Sequence, residues 1–228
     1  MNQIPIFHHL PKCGGTSVLK LLADWFKLIP DYRQGWATNH PARLNLDALT
    51  PEHCLCGHFE LDGFHLDQRY PGLLENPRFW AFSFIRDPLE VKISLFRYEM
   101  KNNIGNKART IEKHLSNRKN YLAGVLGVGQ DDFKTLLDKY AFIGVLEKSD
   151  ISVEILAWLL GKNKTALPWE NKTFDGGKRS QDALPKHLIE QFEAENELDY
   201  AIYNYAIDRL NALKDAYQQR HAESRMSS

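Results

Sequence analysis

The sequence predicts an α/β fold, a parallel β-sheet flanked by helices and followed by a helical C-terminal part. Three observations carry this. A β-type run from Ile4 to His9 meets a Gly-rich turn and then a helical pattern. Phe79-Trp80-Ala81-Phe82-Ser83-Phe84-Ile85 is apolar at nearly every position, as expected for a central parallel strand buried on both faces. Phe142-Ile143-Gly144-Val145-Leu146 repeats that pattern, and strands alternating with helices call for a parallel sheet covered on both sides.

Taken in order, the first strand feeds the turn Pro11-Lys12-Cys13-Gly14-Gly15-Thr16. A helix follows, because Val18, Leu21, Leu22 and Trp25 fall at helical spacing. Thr16 and Ser17 are its natural caps. Cys54 to Phe59 is a second short strand, after a loop marked by Pro41 and Pro51. The third strand ends at Arg86, and Asp87-Pro88-Leu89-Glu90 then reads as a helix start running to about Lys101. Aspartate is the cap, proline takes the first position, and glutamate follows three residues after the cap. Short helices fill 107–139, and Ser149 or Asp150 caps a helix ending near Gly161. A loop spans 162–185, and two helices split around Asn196 run to about Tyr217. Residues 1–217 form one domain, and 218–228 are a polar, mobile tail.

The bulk numbers fit a single globular domain. The chain has 228 residues, 43% hydrophobic and 25% charged, and a formal net charge of zero. That gives no reason to expect nucleic acid or an anionic membrane as partner. No stretch has the apolar length to span a bilayer, and the first residues lack the pattern of a secretory signal. Three cysteines are too few for a disulfide framework, so a cytoplasmic, reducing location is expected. Cys54-Leu55-Cys56 has no second cysteine pair to complete a metal site, and no metal is expected.

Two constellations carry chemistry. A strand entering a helix through Lys12-Cys13-Gly14-Gly15-Thr16-Ser17 offers backbone N–H groups, a helix N-terminus and two hydroxyls to an anion. It lacks the Gly-Lys-Ser/Thr of the nucleotide-triphosphatase loop, and a plain turn between strand and helix stays open on these residues alone. Arg86, at a strand end, can clamp phosphate with its planar fork, and Ser94 lies two helical turns further on. The competing reading is an ion pair between Arg86 and a nearby carboxylate, with Ser94 facing solvent. In an open parallel sheet the ligand sits beyond the carboxyl ends of the strands, where both Lys12 and Arg86 fall.

Together the two motifs resemble the elements that bind 3′-phosphoadenosine-5′-phosphosulfate (PAPS) in the sulfotransferase superfamily, whose P-loop-like fold the resemblance implies here. His9-Leu10-Pro11-Lys12-Cys13-Gly14-Gly15-Thr16-Ser17 is similar to the 5′-phosphosulfate loop, and Ile85-Arg86-Asp87-Pro88 with Ser94 to the 3′-phosphate element. The wording is closest to the carbohydrate branch of heparan sulfate and uronyl 2-O-sulfotransferases and chondroitin 4-O-sulfotransferases. Gly57-His58-Phe59 resembles the Gly-His segment that bears the base in the 2-O enzymes, and 142–147 a late strand of the branch. The resemblance implies that Lys12 and the Cys13 to Ser17 turn hold the 5′-phosphosulfate, that Arg86 and Ser94 hold the 3′-phosphate, and that His58 is the base. Glu60 and His65 are reserve candidates. Lys172, Lys178 and Arg179 fall where such enzymes close a basic loop over the nucleotide. Cys13 stands where threonine is more usual.

The implied reaction is transfer of the sulfuryl group of PAPS to a hydroxyl of an acceptor, a saccharide or glycoconjugate, leaving adenosine 3′,5′-bisphosphate (PAP). Positioning and charge stabilisation are then the main protein tasks, with a histidine base to activate the hydroxyl. Two rivals remain: an ATP-dependent small-molecule kinase on the same plan, and a nucleotide-binding protein without catalysis. Trp25, Phe82 and Phe84 read as core, whereas Trp36, Trp169 and Tyr70 lie in loop-like stretches that could stack on a sugar or adenine. The segments 30–53 and 102–130 are the ones expected to select the acceptor.

Overall fold

A computed structural model describes residues 2–32, 42–59, 65–105, 109–163, 166–167 and 180–226, with the backbone alone at 180, 221 and 223–226. Five parallel strands form one sheet in the order β2-β3-β1-β4-β5. They are β1 (Ile4–His8), β2 (Lys27–Pro30), β3 (His53–Gly57), β4 (Phe79–Ile85) and β5 (Phe142–Val145). β1 and β4 are buried at every position, which is why their sequences are continuous rather than alternating apolar runs. Phe7 stacks on Phe82 across the pair, with ring centroids 5.3 Å apart. The α/β architecture with a helical C-terminal region is therefore as the sequence predicts.

Helix α1 (Gly15–Ala23) follows β1, and α2 (Leu66–Arg69) is a single turn before β4. Helix α3 (Pro88–Lys101) follows β4. Then come α4 (Ile111–Leu115), α5 (Tyr121–Leu126) and α6 (Phe133–Asp138). After β5 the chain forms α7 (Ser149–Leu160), α8 (Lys186–Glu195) and α9 (Glu197–Met226).

Several local expectations need correction. Thr16 and Ser17 do not cap α1. The cap position is Gly14, in the left-handed region (φ 80°) with no side-chain hydrogen bond, and both hydroxyl residues lie inside the first turn. Lys148, not Ser149 or Asp150, precedes α7, which does end at Gly161. Asp87 caps α3 as expected, its carboxylate accepting from the Leu89 and Glu90 amides at 3.0 and 3.1 Å. Glu90 does not complete a capping box, because its carboxylate is engaged elsewhere. α9 continues to Met226, so residues 218–226 extend the last helix rather than leave it at Tyr217. The break at Asn196 is real: its side chain donates to the Phe192 carbonyl and accepts from the Asn120 amide, both at 2.7 Å.

Helix α9 also organises the elements in front of it. Asp199 accepts from the Leu122 and Ala123 amides at 3.0 and 2.9 Å, which serves the start of α5. Arg209 donates to the carbonyls of Leu137 and Tyr140. Tyr203 donates to Glu147 at 3.0 Å, reaching the segment just past β5.

Candidate active site

The carboxyl ends of β1, β3 and β4 converge on one edge of the sheet. Past β1 the chain turns through Lys12 (φ 65°) and Gly14 (φ 80°) before entering α1. With Gly14 as cap, no side chain caps α1; the Ser17 amide donates to the Gly14 carbonyl at 3.0 Å, which leaves the Gly15 and Thr16 amides at the helix start for an anion. The two glycines have a packing reason as well as the expected access reason. A Cβ on Gly14 would lie 2.6 Å from Leu146 Cδ1, and one on Gly15 would overlap the His9 imidazole. The Cys13 side chain points into the core, and burial pushes its thiol up to about 12, so only its backbone can serve the turn.

Lys12 lies half-buried with its ammonium 4.4 Å from the centre of the Tyr98 ring on α3. Burial, with Arg86 nearby, draws its pKa below the ordinary lysine value. Among the described residues no carboxylate comes within ion-pair distance of Lys12. Ser94 is also half-buried and stands one helical turn before Tyr98, so Lys12 and Ser94 border the same face of α3.

Arg86 is buried between carboxylates from α3 and from the segment after β5. It is 4% exposed. Its Nη2 donates to Glu90 Oε2 at 2.9 Å, its Nε lies 3.9 Å from Glu147 Oε1, and its Nη1 leans on the Lys12 carbonyl at 3.5 Å. Glu90 also accepts from the Gln181 amide, and Glu147 from the Asp87 amide and Tyr203. Burial raises the Glu147 carboxyl. The ion-pair alternative for Arg86 is thus present, and a phosphate would meet only part of its donor set.

His58 follows β3 and is half-buried beside the turn. Its Nδ1 lies 2.6 Å from the His9 carbonyl. A carbonyl only accepts, so Nδ1 carries the proton, and in the neutral ring the lone pair is on Nε2. That is the form a general base requires. The His9 ring sits 4.3 Å from that of His58, and Tyr32 approaches both, bonding His9 Nδ1 at 3.0 Å. Sequence reasoning missed His8, His9 and Tyr32; adjacent histidines immediately before the glycine turn were the available signal.

Burial, with His58, His8 and Lys12 nearby, pushes His9 down to about 3, so the folded protein holds it neutral where the unfolded chain protonates near 6.5. The folded form refuses a proton that the unfolded form takes, so stability falls as pH drops below 6.5. The loss due to His9 is at most about 1.4 kcal/mol per pH unit. Denaturant titrations between pH 5 and 7 should show a shallower decline for His9→Gln than for the wild type. Equal declines would contradict this.

The remaining sequence candidates are placed as follows. His65 precedes α2, where its ring meets the Val125 carbonyl at 3.1 Å and occupies space left by Gly127. Tyr70 is not available for stacking: it is 6% exposed and donates to Asp31 Oδ2 at 2.6 Å, beside the paired bonds from Arg69 to Asp31 at 2.7 Å. Cys54 and Cys56 are buried, with Sγ atoms 3.8 Å apart. Glu60, Trp36, Trp169, Lys172, Lys178 and Arg179 lie outside the described residues.

With this geometry in hand, comparison with solved structures is decisive for the fold. The chain superposes on the crystal structure of a sulfotransferase from Alicyclobacillus acidocaldarius with a TM-score of 0.51, covering 91% of this chain and 97% of that one at 12% identity. The chain has a sulfotransferase fold. No family model matches the sequence, and no curated protein matches it in sequence. In this sulfotransferase fold Lys12, Ser94 and His58 come from three separate elements, and among the described residues no helix is long and apolar enough to cross a membrane.

Proposed function

We propose that this protein is a PAPS-dependent O-sulfotransferase acting on a hydroxyl of a saccharide or glycoconjugate. The observation that carries the reading is Lys12, without a carboxylate partner among the described residues, beside Arg86 at the open first turn of α1. A cation next to the Gly15 and Thr16 amides favours an anion there, Arg86 being balanced by Glu90 and Glu147. The donor supplies an activated sulfuryl group on its 5′-phosphate. Lys12 and the amides of Gly14, Gly15 and Thr16 hold that end and stabilise charge on the departing oxygen. Ser94, with part of the Arg86 fork, faces the 3′-phosphate. His58 Nε2 takes the acceptor proton. Lys172, Lys178 and Arg179 are assigned to closure over the nucleotide, on the resemblance alone.

Calorimetric titration with adenosine 3′,5′-bisphosphate, with ATP and AMP as controls and no added metal, tests the reading. A clear preference for the bisphosphate is expected. Lys12→Ala should weaken it roughly ten- to hundredfold, the worth of a hydrogen bond to a charged group. No binding, or equal binding of ATP, would remove the sulfotransferase reading and favour the kinase. Tight binding without sulfate transfer to any acceptor would favour a non-catalytic nucleotide-binding protein.

A further inference from the structure

The peptide joining His58 to Phe59 is held in an unusual conformation by residues distant in sequence. Phe59 has φ 64°, in the left-handed region that a bulky aromatic avoids, and its side chain is 4% exposed. Such a conformation persists only where the surroundings determine it. Here the surroundings are specific. The His58 carbonyl lies 3.1 Å from His8 Nε2, and His8 Nδ1 lies 2.6 Å from the Tyr140 hydroxyl.

Proton positions follow from these partners. The carbonyl of His58 only accepts, so His8 Nε2 carries the proton and donates. In the neutral ring His8 Nδ1 is then an acceptor, and the Tyr140 O–H donates to it. Both side chains are 2% exposed, which excludes water as the usual substitute. The His8 ring also meets the Phe59 ring edge-on at 5.6 Å, and Phe59 meets Tyr70 edge-on at 6.3 Å. Gly57 belongs to the same arrangement: a Cβ there would come within 2.8 Å of the Phe59 ring and 2.5 Å of the Asp31 carbonyl. His8 is the last residue of β1 and His9 the next; the His9 ring stacks on that of Phe7 at 5.6 Å, so His9 lies on the Phe7 side and His8 on the other. One takes the main chain of His58, while the carbonyl of the other takes its ring.

We propose that His8 is a positioning residue for His58, with Tyr140 fixing the His8 tautomer so that Nε2–H clamps the strained peptide after the base. His8 itself touches no reacting atom. The inference rests on the reading of His58 as the base.

The test reads the ring nitrogens of His58 by 15N NMR in the unliganded full chain near pH 8. His8→Gln keeps an N–H donor where Nε2–H stood, and His8→Leu keeps bulk without one. Wild type and His8→Gln should show one dominant tautomer, with Nδ1 protonated. His8→Leu should show a tautomer ratio at least threefold closer to unity. Tyr140→Phe, which deletes only the hydroxyl, should fall between them, and it decides the matter if His8→Leu does not fold. Wild-type ring shifts in the Leu and Phe variants would overturn the proposal, as would failure of Gln to restore the pattern. The measurement needs no nucleotide. A protein that does not bind the bisphosphate in calorimetry would lose the sulfotransferase reading, while the clamp would stand or fall on the NMR result.

Discussion

Arg86→Ala should unfold this protein far more readily than it should impair a ligand contact. The substitution leaves Glu90, whose carboxylate is bonded to Arg86 at 2.9 Å in a 5%- and 2%-exposed pair, without its cation. Glu147, 9% exposed, loses the same neighbour. Removing one partner of a buried ion pair costs about 3–5 kcal/mol, a fall in Tm of roughly 6–20 °C for a chain of this size. Arg86→Met combined with Glu90→Leu should recover part of the loss, since it removes the stranded charge at Glu90 while Glu147 keeps its amide and Tyr203 donors. Scanning calorimetry of the two variants beside the wild type checks both statements. A stable Arg86→Ala variant that no longer binds adenosine 3′,5′-bisphosphate would show instead that the fork serves the ligand first.

The second large effect is on chemistry. With the sulfotransferase reading, His58→Ala should lower turnover about 10²- to 10⁴-fold, the usual contribution of a general base. Affinity for the bisphosphate should stay roughly unchanged, because the nucleotide is assigned to Lys12, the glycine turn, Ser94 and part of the Arg86 fork. Release of the bisphosphate from PAPS in the presence of a panel of saccharide acceptors measures the first quantity, and calorimetry the second. Normal turnover in His58→Ala would move the base elsewhere.

The sheet was legible where strands carry long apolar runs. β1, β4 and β5 announced themselves because a strand covered on both faces needs apolar residues throughout. β2 did not: it is a four-residue edge strand with its ends exposed and a proline at the last position. In the site, local spacing was readable and distant pairing was not. Glu90 sits four residues after Arg86, but the choice of an ion pair also depends on Glu147, which comes from the far side of β5. Tyr70 lies beside a Pro-Gly pair and looked like a loop aromatic, yet Asp31 draws it inward. His58 was found by resemblance, while His8 acquires its role only through Tyr140, 132 positions away.

The contact of Tyr203 with Glu147 bears on when the site comes into existence during synthesis. Glu147 steadies Arg86 and the Asp87 amide, and α9 steadies Glu147, so the surroundings of the glycine turn are completed by a helix made long after it. At about 5–20 residues per second, roughly 10–40 s separate translation of Lys12 from that of Tyr203. Over that interval the nascent chain carries its glycine turn with the acidic support behind it unfinished. Completion of the acidic support behind the glycine turn is accordingly a late event in the life of each molecule.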